Sequence, residues 1–103
     1  MTAMLLTGSP VGAQTGTVRV RVTDPTGAKV PRAIISVRGS HENIIRQEET
    51  DESGEIVLTG LPVGECVISV IKGGFLTVRR KVIIESAEEE RVEVRLQLAP
   101  PLE

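Results

Sequence analysis

The chain has 103 residues, of which 40% are hydrophobic and 25% are charged, so its composition is that of one globular domain. Twelve basic and 14 acidic residues leave a formal net charge of −2, which provides no basic field for nucleic acid. One Cys and one His exclude an internal disulfide bond and a Cys/His zinc cluster, and Phe75 as the only aromatic residue provides no stacking platform for bases or sugars.

Both ends of the chain differ from its middle. Residues 1–14 carry no charged side chain, and Val11-Gly12-Ala13 before Gln14 is a small-x-small pattern of the kind that signal peptidase cleaves. We expect this segment to be a disordered tail or the remnant of a secretory signal. Residues 99–103 are expected to form a second disordered tail, in which Leu102-Glu103 resembles a vector-derived scar. No run of 18 apolar residues is present, so no membrane insertion is expected.

Between these tails, apolar side chains alternate with polar ones, as they do in half-buried β-strands. The first half of this region contains three such strands, at residues 17–23, 30–38 and 44–50. The turn Asp24-Pro25-Thr26-Gly27 separates the first two strands, and the polar loop 39–43 separates the second from the third. The third strand is mostly polar, so we expect it at the edge of a sheet.

The second half of the region continues the alternation. Four further strands, separated by turn signals, are predicted at residues 55–59, 65–72, 76–85 and 91–98. Seven short strands at this spacing predict an all-β fold, namely a seven-stranded antiparallel β-sandwich. Phe75, which follows Gly73-Gly74, is expected to be a buried plug at one end of the sandwich. The predicted core consists of Val18, Val20, Val22, Ile35, Val37, Ile56, Leu58, Ile68, Val70, Val82, Val94 and Leu96.

Several turn motifs occur together in the order and spacing that one known family shows. They are Asp24-Pro25-Thr26-Gly27-Ala28, Thr50-Asp51-Glu52-Ser53-Gly54, Gly60-Leu61-Pro62-Val63-Gly64 and Gly73-Gly74-Phe75. With these motifs, residues 16–98 resemble the carboxypeptidase regulatory-like domain, which implies a transthyretin-like Greek-key sandwich. The sequence departs from the family pattern at Arg32, where Gly is usual, and at Cys66, where Tyr is usual. We interpret Arg32 as a surface change.

The resemblance also implies a setting and a role. Domains of this family are small modules, often secreted or periplasmic in bacteria, which occur beside peptidase domains, at the front of TonB-dependent receptors, or alone. Most of their roles are structural or in binding. The B-type repeats of bacterial collagen adhesins, which are related in fold, close a Lys–Asn isopeptide bond between edge strands. The last predicted strand, residues 91–98, contains no Asn, so we expect no such bond here.

The sequence contains no recognisable catalytic or metal-binding set. His41 lies beside Ser40 and Glu42 in a polar loop, but adjacency in sequence does not bring a catalytic triad together in space. Cys66 occupies an in-phase strand position, which is typical of a buried, unreactive thiol. The acidic clusters within residues 48–55 and 85–93 lack the spacing of a calcium-binding loop, and we interpret them as solvated turns. We therefore expect no enzyme activity, no metal and no cofactor.

These features predict a non-enzymatic, secreted or periplasmic β-sandwich module of the bacterial cell envelope. We expect it to serve protein interaction or to act as a structural spacer, as a monomer or a weak dimer. The candidate partner edge is the third strand, with Ile44, Ile45, Arg46 and Glu48, because its charges keep it soluble while its backbone groups stay free to pair. The alternative is a carbohydrate-binding module of the same fold group, which the lack of Trp and Tyr disfavours.

Overall fold

The computed structural model describes residues 14–101, which form seven strands and contain no helix. This confirms the predicted all-β fold. The expected signal remnant and the expected vector scar fall on residues 1–13 and 102–103, which lie outside the described residues. The strands are β1 (Thr15–Thr23), β2 (Ile34–Arg38), β3 (Ile44–Glu49), β4 (Glu55–Pro62), β5 (Gly64–Ile71), β6 (Val78–Ile84) and β7 (Glu89–Arg95).

The strands form two sheets that pack face to face. One sheet has three strands in the order β4-β1-β7, and the other has four in the order β3-β2-β5-β6. One pairing differs from the antiparallel arrangement that we predicted: β1 and β7 run parallel, in register from Thr17↔Glu89 to Thr23↔Arg95. The other pairings are antiparallel. The sequence could not show this difference, because alternation marks the buried face of a strand and is the same for both strand directions.

The core lies between the sheets and matches the predicted set closely. All of the predicted core residues except Ile56 are buried, and Ile56 is partly buried and packs against the others. Phe75 was predicted to be a buried plug, but it is only partly buried. Its backbone forms a bridge with Leu98, which is itself 66% exposed, so Phe75 covers the rim of the core rather than closing it.

The directions of the strands give the sandwich two distinct ends, which we call the first and the second pole. The first pole holds the start of β1 together with the β2–β3, β4–β5 and β6–β7 turns. The second pole holds the β1–β2, β3–β4 and β5–β6 connections together with the residues that follow β7. The chain therefore enters the sandwich at one end and leaves it at the other.

Two turns at the second pole are closed by an aspartate in the same way. Asp24 Oδ1 accepts hydrogen bonds from the Thr26 hydroxyl and from the backbone N–H of Thr26 and Ala28. These hydrogen bonds lower the pKa of Asp24, and the bond from the Thr26 hydroxyl has the largest effect. Asp51 Oδ1 accepts from the backbone N–H of Ser53 and Glu55. The carboxylates hold each turn in the shape that joins neighbouring strands, as their position before a turn glycine predicts.

Candidate protein-interaction edge

Strand β3, the candidate partner edge, lies at the edge of the four-stranded sheet beside β2. Ile44 opens the strand and is 48% exposed, whereas Ile45 is partly buried and packs against the core. The register with β2 shifts between Val37 and Arg38, so Ile45 is an extra residue without a partner, which is a β-bulge. Of the two isoleucines, Ile44 is therefore the one that can reach into the pocket of a partner.

Arg46 and Glu48 lie on the inner side of β3 and are both partly buried. Their register partners on β2 are the buried residues Val37 and Ile35. Arg46 Nη2 donates to the carbonyl oxygen of Thr59 on β4 at 2.6 Å, and Arg46 Nη1 lies 3.3 Å from Glu48 Oε2. Arg46 thus joins the two sheets along this side. Inward charges on an edge strand also oppose uncontrolled pairing between edges. Ile44 is the large apolar side chain of β3 that remains exposed.

The opposite side of the sandwich lies between the edge strands β6 and β7. An open groove of about 450 Å³ runs between them, with charged side chains such as Lys81, Glu85 and Arg91 in its lining and neither His nor Cys among the residues that form it. Arg80 Nη1 donates to the carbonyl oxygen of Glu93 at 3.3 Å. Each side of the sandwich is thus bridged by an arginine that reaches a backbone oxygen of the other sheet.

The outer face of the three-stranded sheet carries a network of ion pairs centred on β1. Arg19 Nε lies 3.0 Å from Glu89 Oε2 on β7, and Arg19 Nη1 lies 3.5 Å from Glu55 Oε1 on β4. Arg21 Nη2 lies 3.0 Å from Glu55 Oε2, and Arg21 Nη1 lies 3.9 Å from Glu93 Oε2. The hydrogen bond between Arg19 and Glu89 raises the pKa of the arginine and lowers the pKa of the glutamate. The network is exposed, so it adds little to stability but links three strands.

In this network the outward-facing arginines of β1 pair with glutamates of the neighbouring strands. The role of Glu55 was not predicted, because the sequence shows it only as one member of an acidic cluster. Its place opposite Arg21 depends on the register of β4 against β1, which no local pattern reveals. The same holds for the two bridging arginines, Arg46 and Arg80, whose partners lie on the other sheet.

The remaining candidate residues do not come together in a chemical site. His41 is exposed in the β2–β3 turn at the first pole. Cys66 on β5 is buried, and burial raises the pKa of its thiol, which keeps it protonated and unreactive. Within residues 14–101, no three His, Cys, Asp or Glu side chains lie close enough together to hold a metal ion.

The model of the carboxypeptidase regulatory-like domain matches residues 17–97, from the first residue pair of the β1–β7 ladder to just beyond the end of β7. The chain belongs to the carboxypeptidase regulatory-like family. No curated protein matches this carboxypeptidase regulatory-like domain significantly in sequence. Within the described residues of the domain, no helix is long and apolar enough to cross a membrane.

Several solved structures share the fold of this carboxypeptidase regulatory-like domain. BcpA, the major pilin subunit of Bacillus cereus, is 20% identical with a TM-score of 0.74, over 85% of this chain and 30% of BcpA. GBS52, the minor pilin of Streptococcus agalactiae, is 18% identical with a TM-score of 0.72, over 87% of this chain and 47% of the pilin. 3-Chlorocatechol 1,2-dioxygenase of Rhodococcus opacus is 10% identical with a TM-score of 0.65, over 84% of this chain and 61% of the enzyme. The chain thus spans less than two thirds of each of these proteins, and the likeness shows the fold alone.

Proposed function

We propose that the chain is a non-catalytic module of a secreted or periplasmic bacterial protein, in which it acts as a spacer and contacts other proteins. The observation that carries the proposal is the position of its ends, because the chain enters β1 at the first pole and leaves β7 at the second. A strand of nine residues such as β1 spans about 30 Å, so the segments on either side of the sandwich are held apart by this distance. A spacer needs its two attachments on opposite sides.

The comparisons support a structural role. The matched parts of the two pilins are less than half of their chains, so the same fold serves there as one part of a longer protein. The location in the envelope rests on the family resemblance and on the signal-like segment before Gln14. The dioxygenase shares the fold as well, and therefore the absence of catalysis has to be tested directly.

The purified domain is expected to turn over no peptide, ester or glycoside substrate and to bind no simple sugar. Catalysis requires positioned groups with tuned pKa values, and in the described chain His41 is exposed in a turn while Cys66 is buried near the start of β5. Sugar binding draws on exposed aromatic rings, and the only ring, Phe75, packs against the core. Chromogenic substrate panels and a glycan array measure both properties. A saturable signal on the glycan array would contradict the spacer role and support the carbohydrate-binding alternative.

For the protein contact, we propose the β3 edge, with Ile44 as the side chain that inserts into the partner. A free strand edge offers backbone groups for β-augmentation, while an exposed side chain next to it supplies specificity. Ile44 is exposed, whereas Arg46 and Glu48 are engaged with each other and with β4. Ile45 is a poor test position, because an acidic side chain there would disturb the core.

Ile44→Asp is expected to abolish binding of the native partner without unfolding the domain, because the side chain is half exposed. The matched control is Ile83→Asp, since Ile83 is 52% exposed on β6 at the opposite edge of the same sheet. Quantitative pull-downs from an envelope extract of the source organism compare both variants with the wild-type chain. Equal loss in the two variants, or loss in Ile83→Asp alone, would exclude the β3 edge.

A further inference from the structure

Strands β1 and β7 are neighbours in the same sheet, run parallel, and carry the two ends of the sandwich. The chain enters β1 at Thr15, at the first pole, and leaves β7 at Arg95, at the second. Tension between the two ends therefore pulls β1 and β7 along their own axes in opposite directions. In this geometry the hydrogen bonds between the strands are loaded in shear, all at the same time, whereas a force across the strands would open them one after another.

The β1–β7 ladder extends along the whole of β1. Its register runs without a shift from Thr17↔Glu89 to Thr23↔Arg95. At the first pole, Ala87 N–H donates to Thr15 O at 3.0 Å, and at the second pole Leu96 N–H donates to Thr23 O at 2.8 Å. The bonds of a parallel ladder are evenly spaced, so a load along the strands is shared among them.

Both faces of this ladder are protected. On the inner face, buried apolar side chains of the two strands exclude water from the backbone hydrogen bonds; these are Val18, Val20, Val22, Val92 and Val94. On the outer face, the pairs Arg19–Glu89 and Arg21–Glu93 cross from β1 to β7, and Glu55 holds both arginines from the β4 side. Water competes poorly for the ladder bonds from inside, and the ion pairs oppose sliding from outside.

The ladder also has to resist load without a covalent bond between its strands. Strand β1 contains no Lys, and residues 91–98 contain no Asn, so the residues that close isopeptide bonds are missing from both strands. β1 is held by ladders on both of its sides, with β4 and with β7, whereas β7 is held by one. Under tension β7 is therefore the strand that yields, and the β1–β7 ladder sets the force.

We propose that this domain is a load-bearing element, in which the parallel β1–β7 ladder resists tension applied between the two ends of the chain. The proposal deepens the spacer role and rests on it for its biological setting. The load is a pulling force, which the protein segments before β1 and after β7 transmit to the sandwich.

Single-molecule force spectroscopy on the full chain tests the proposal by comparing two directions of pull. In the first, the handles are attached to the two chain ends. In the second, one handle is on the N-terminus and the other on a Ser86→Cys thiol, with Cys66→Val in both proteins so that only the introduced thiol reacts. Ser86 lies in the β6–β7 turn at the first pole, where the neighbouring Ala87 contacts Thr15. This second pull opens the ladder from one end.

The unfolding force is expected to be several-fold higher when the chain is pulled from end to end than when it is pulled from Ser86. Equal forces in the two directions would overturn the load-bearing role, while the spacer role, which needs only the separation of the ends, would stand. Conversely, saturable binding of a glycan, or a catalysed reaction, would contradict the spacer role without changing the measured unfolding forces.

Two proline variants on β7 identify the ladder that carries the load. Since Thr17 N–H donates to Glu88 O and Leu96 N–H donates to Thr23 O, the even-numbered residues of β7 face β1 and the odd-numbered ones face the free edge. Glu90→Pro removes a donor from the ladder, whereas Arg91→Pro removes one from the free edge. We expect Glu90→Pro to lower the end-to-end force and Arg91→Pro to leave it near the wild-type value. Equal effects of the two variants would exclude the β1–β7 ladder as the element that carries the load. If Glu90→Pro does not fold, the comparison between the two pulling directions tests the proposal.

Discussion

Gly16→Ala is expected to lower the free energy of unfolding by about 3 kcal/mol or more, because it overpacks a site that has no room for a methyl group. A Cβ at position 16 would lie inside the contact distance of the Glu85 carbonyl oxygen and 2.8 Å from Ile84 Cγ2. The carbonyl belongs to the backbone, so it cannot turn away as a long side chain can. The β6–β7 turn or the start of β1 must therefore shift.

Gly73→Ala is the matched control, since a Cβ there would meet nothing within 4 Å and the residue does not have a positive φ. We expect this variant to be neutral or more stable by about 0.4–1 kcal/mol, through the lower entropy of the unfolded chain. Because the chain has neither Trp nor Tyr, urea unfolding has to be followed by far-UV circular dichroism. A Gly16→Ala variant within about 1 kcal/mol of wild type, below the usual range for overpacking, would mean that the β6–β7 turn does not press on β1.

The strands, their buried faces and the main turns could be predicted from the sequence, because each leaves a local signal. Alternation over Thr17–Thr23 is sufficient to place Val18, Val20 and Val22 inside. An aspartate three residues before a glycine, as in Asp24 and Asp51, is sufficient to place a turn. The polar character of Ile44–Glu49 was sufficient to place that strand at a sheet edge.

Features that depend on two distant segments could not be predicted in this way. The parallel direction of β1 and β7 follows from how the chain crosses between sheets after β6, and alternation does not record it. The bulge at Ile45 was missed as well, because one extra residue in a mostly polar strand does not change its pattern visibly. The position of β3 at a sheet edge could therefore be predicted, but not that Ile44 is exposed while Ile45 packs against the core.

Arg32 shows how a departure from a family pattern can be read only in part from sequence. Its side chain is exposed, as the interpretation as a surface change requires. Its backbone, however, has a φ of 60°, a conformation that glycine adopts without steric cost and arginine does not. The usual glycine of the family is thus explained by the backbone. The strained residue is held by its N–H, which donates to the carbonyl oxygen of Thr50 at 3.0 Å.

Thr50→Val is expected to cost about 3 kcal/mol of unfolding free energy, although valine has nearly the same shape and favours strands. The Thr50 hydroxyl donates to Val30 O at 2.8 Å and accepts from Ala33 N–H at 2.9 Å, and the side chain is buried. Valine leaves both backbone groups without a partner, and each buried group left unpaired costs about 1–3 kcal/mol. These bonds fasten the β1–β2 connection at the second pole.

Thr50→Ser separates the hydrogen bonds from the packing of the methyl group. Serine keeps the hydroxyl and loses one methyl, which we expect to cost about 1 kcal/mol. The predicted order of stability is therefore wild type, then Thr50→Ser, then Thr50→Val, as measured by urea unfolding under identical conditions. If Thr50→Val proves more stable than Thr50→Ser, packing rather than hydrogen bonding holds the connection, and water has reached the backbone groups of Val30 and Ala33. The predicted order, in contrast, would make Thr50 the residue that keeps the strained Arg32 and the start of β2 in place.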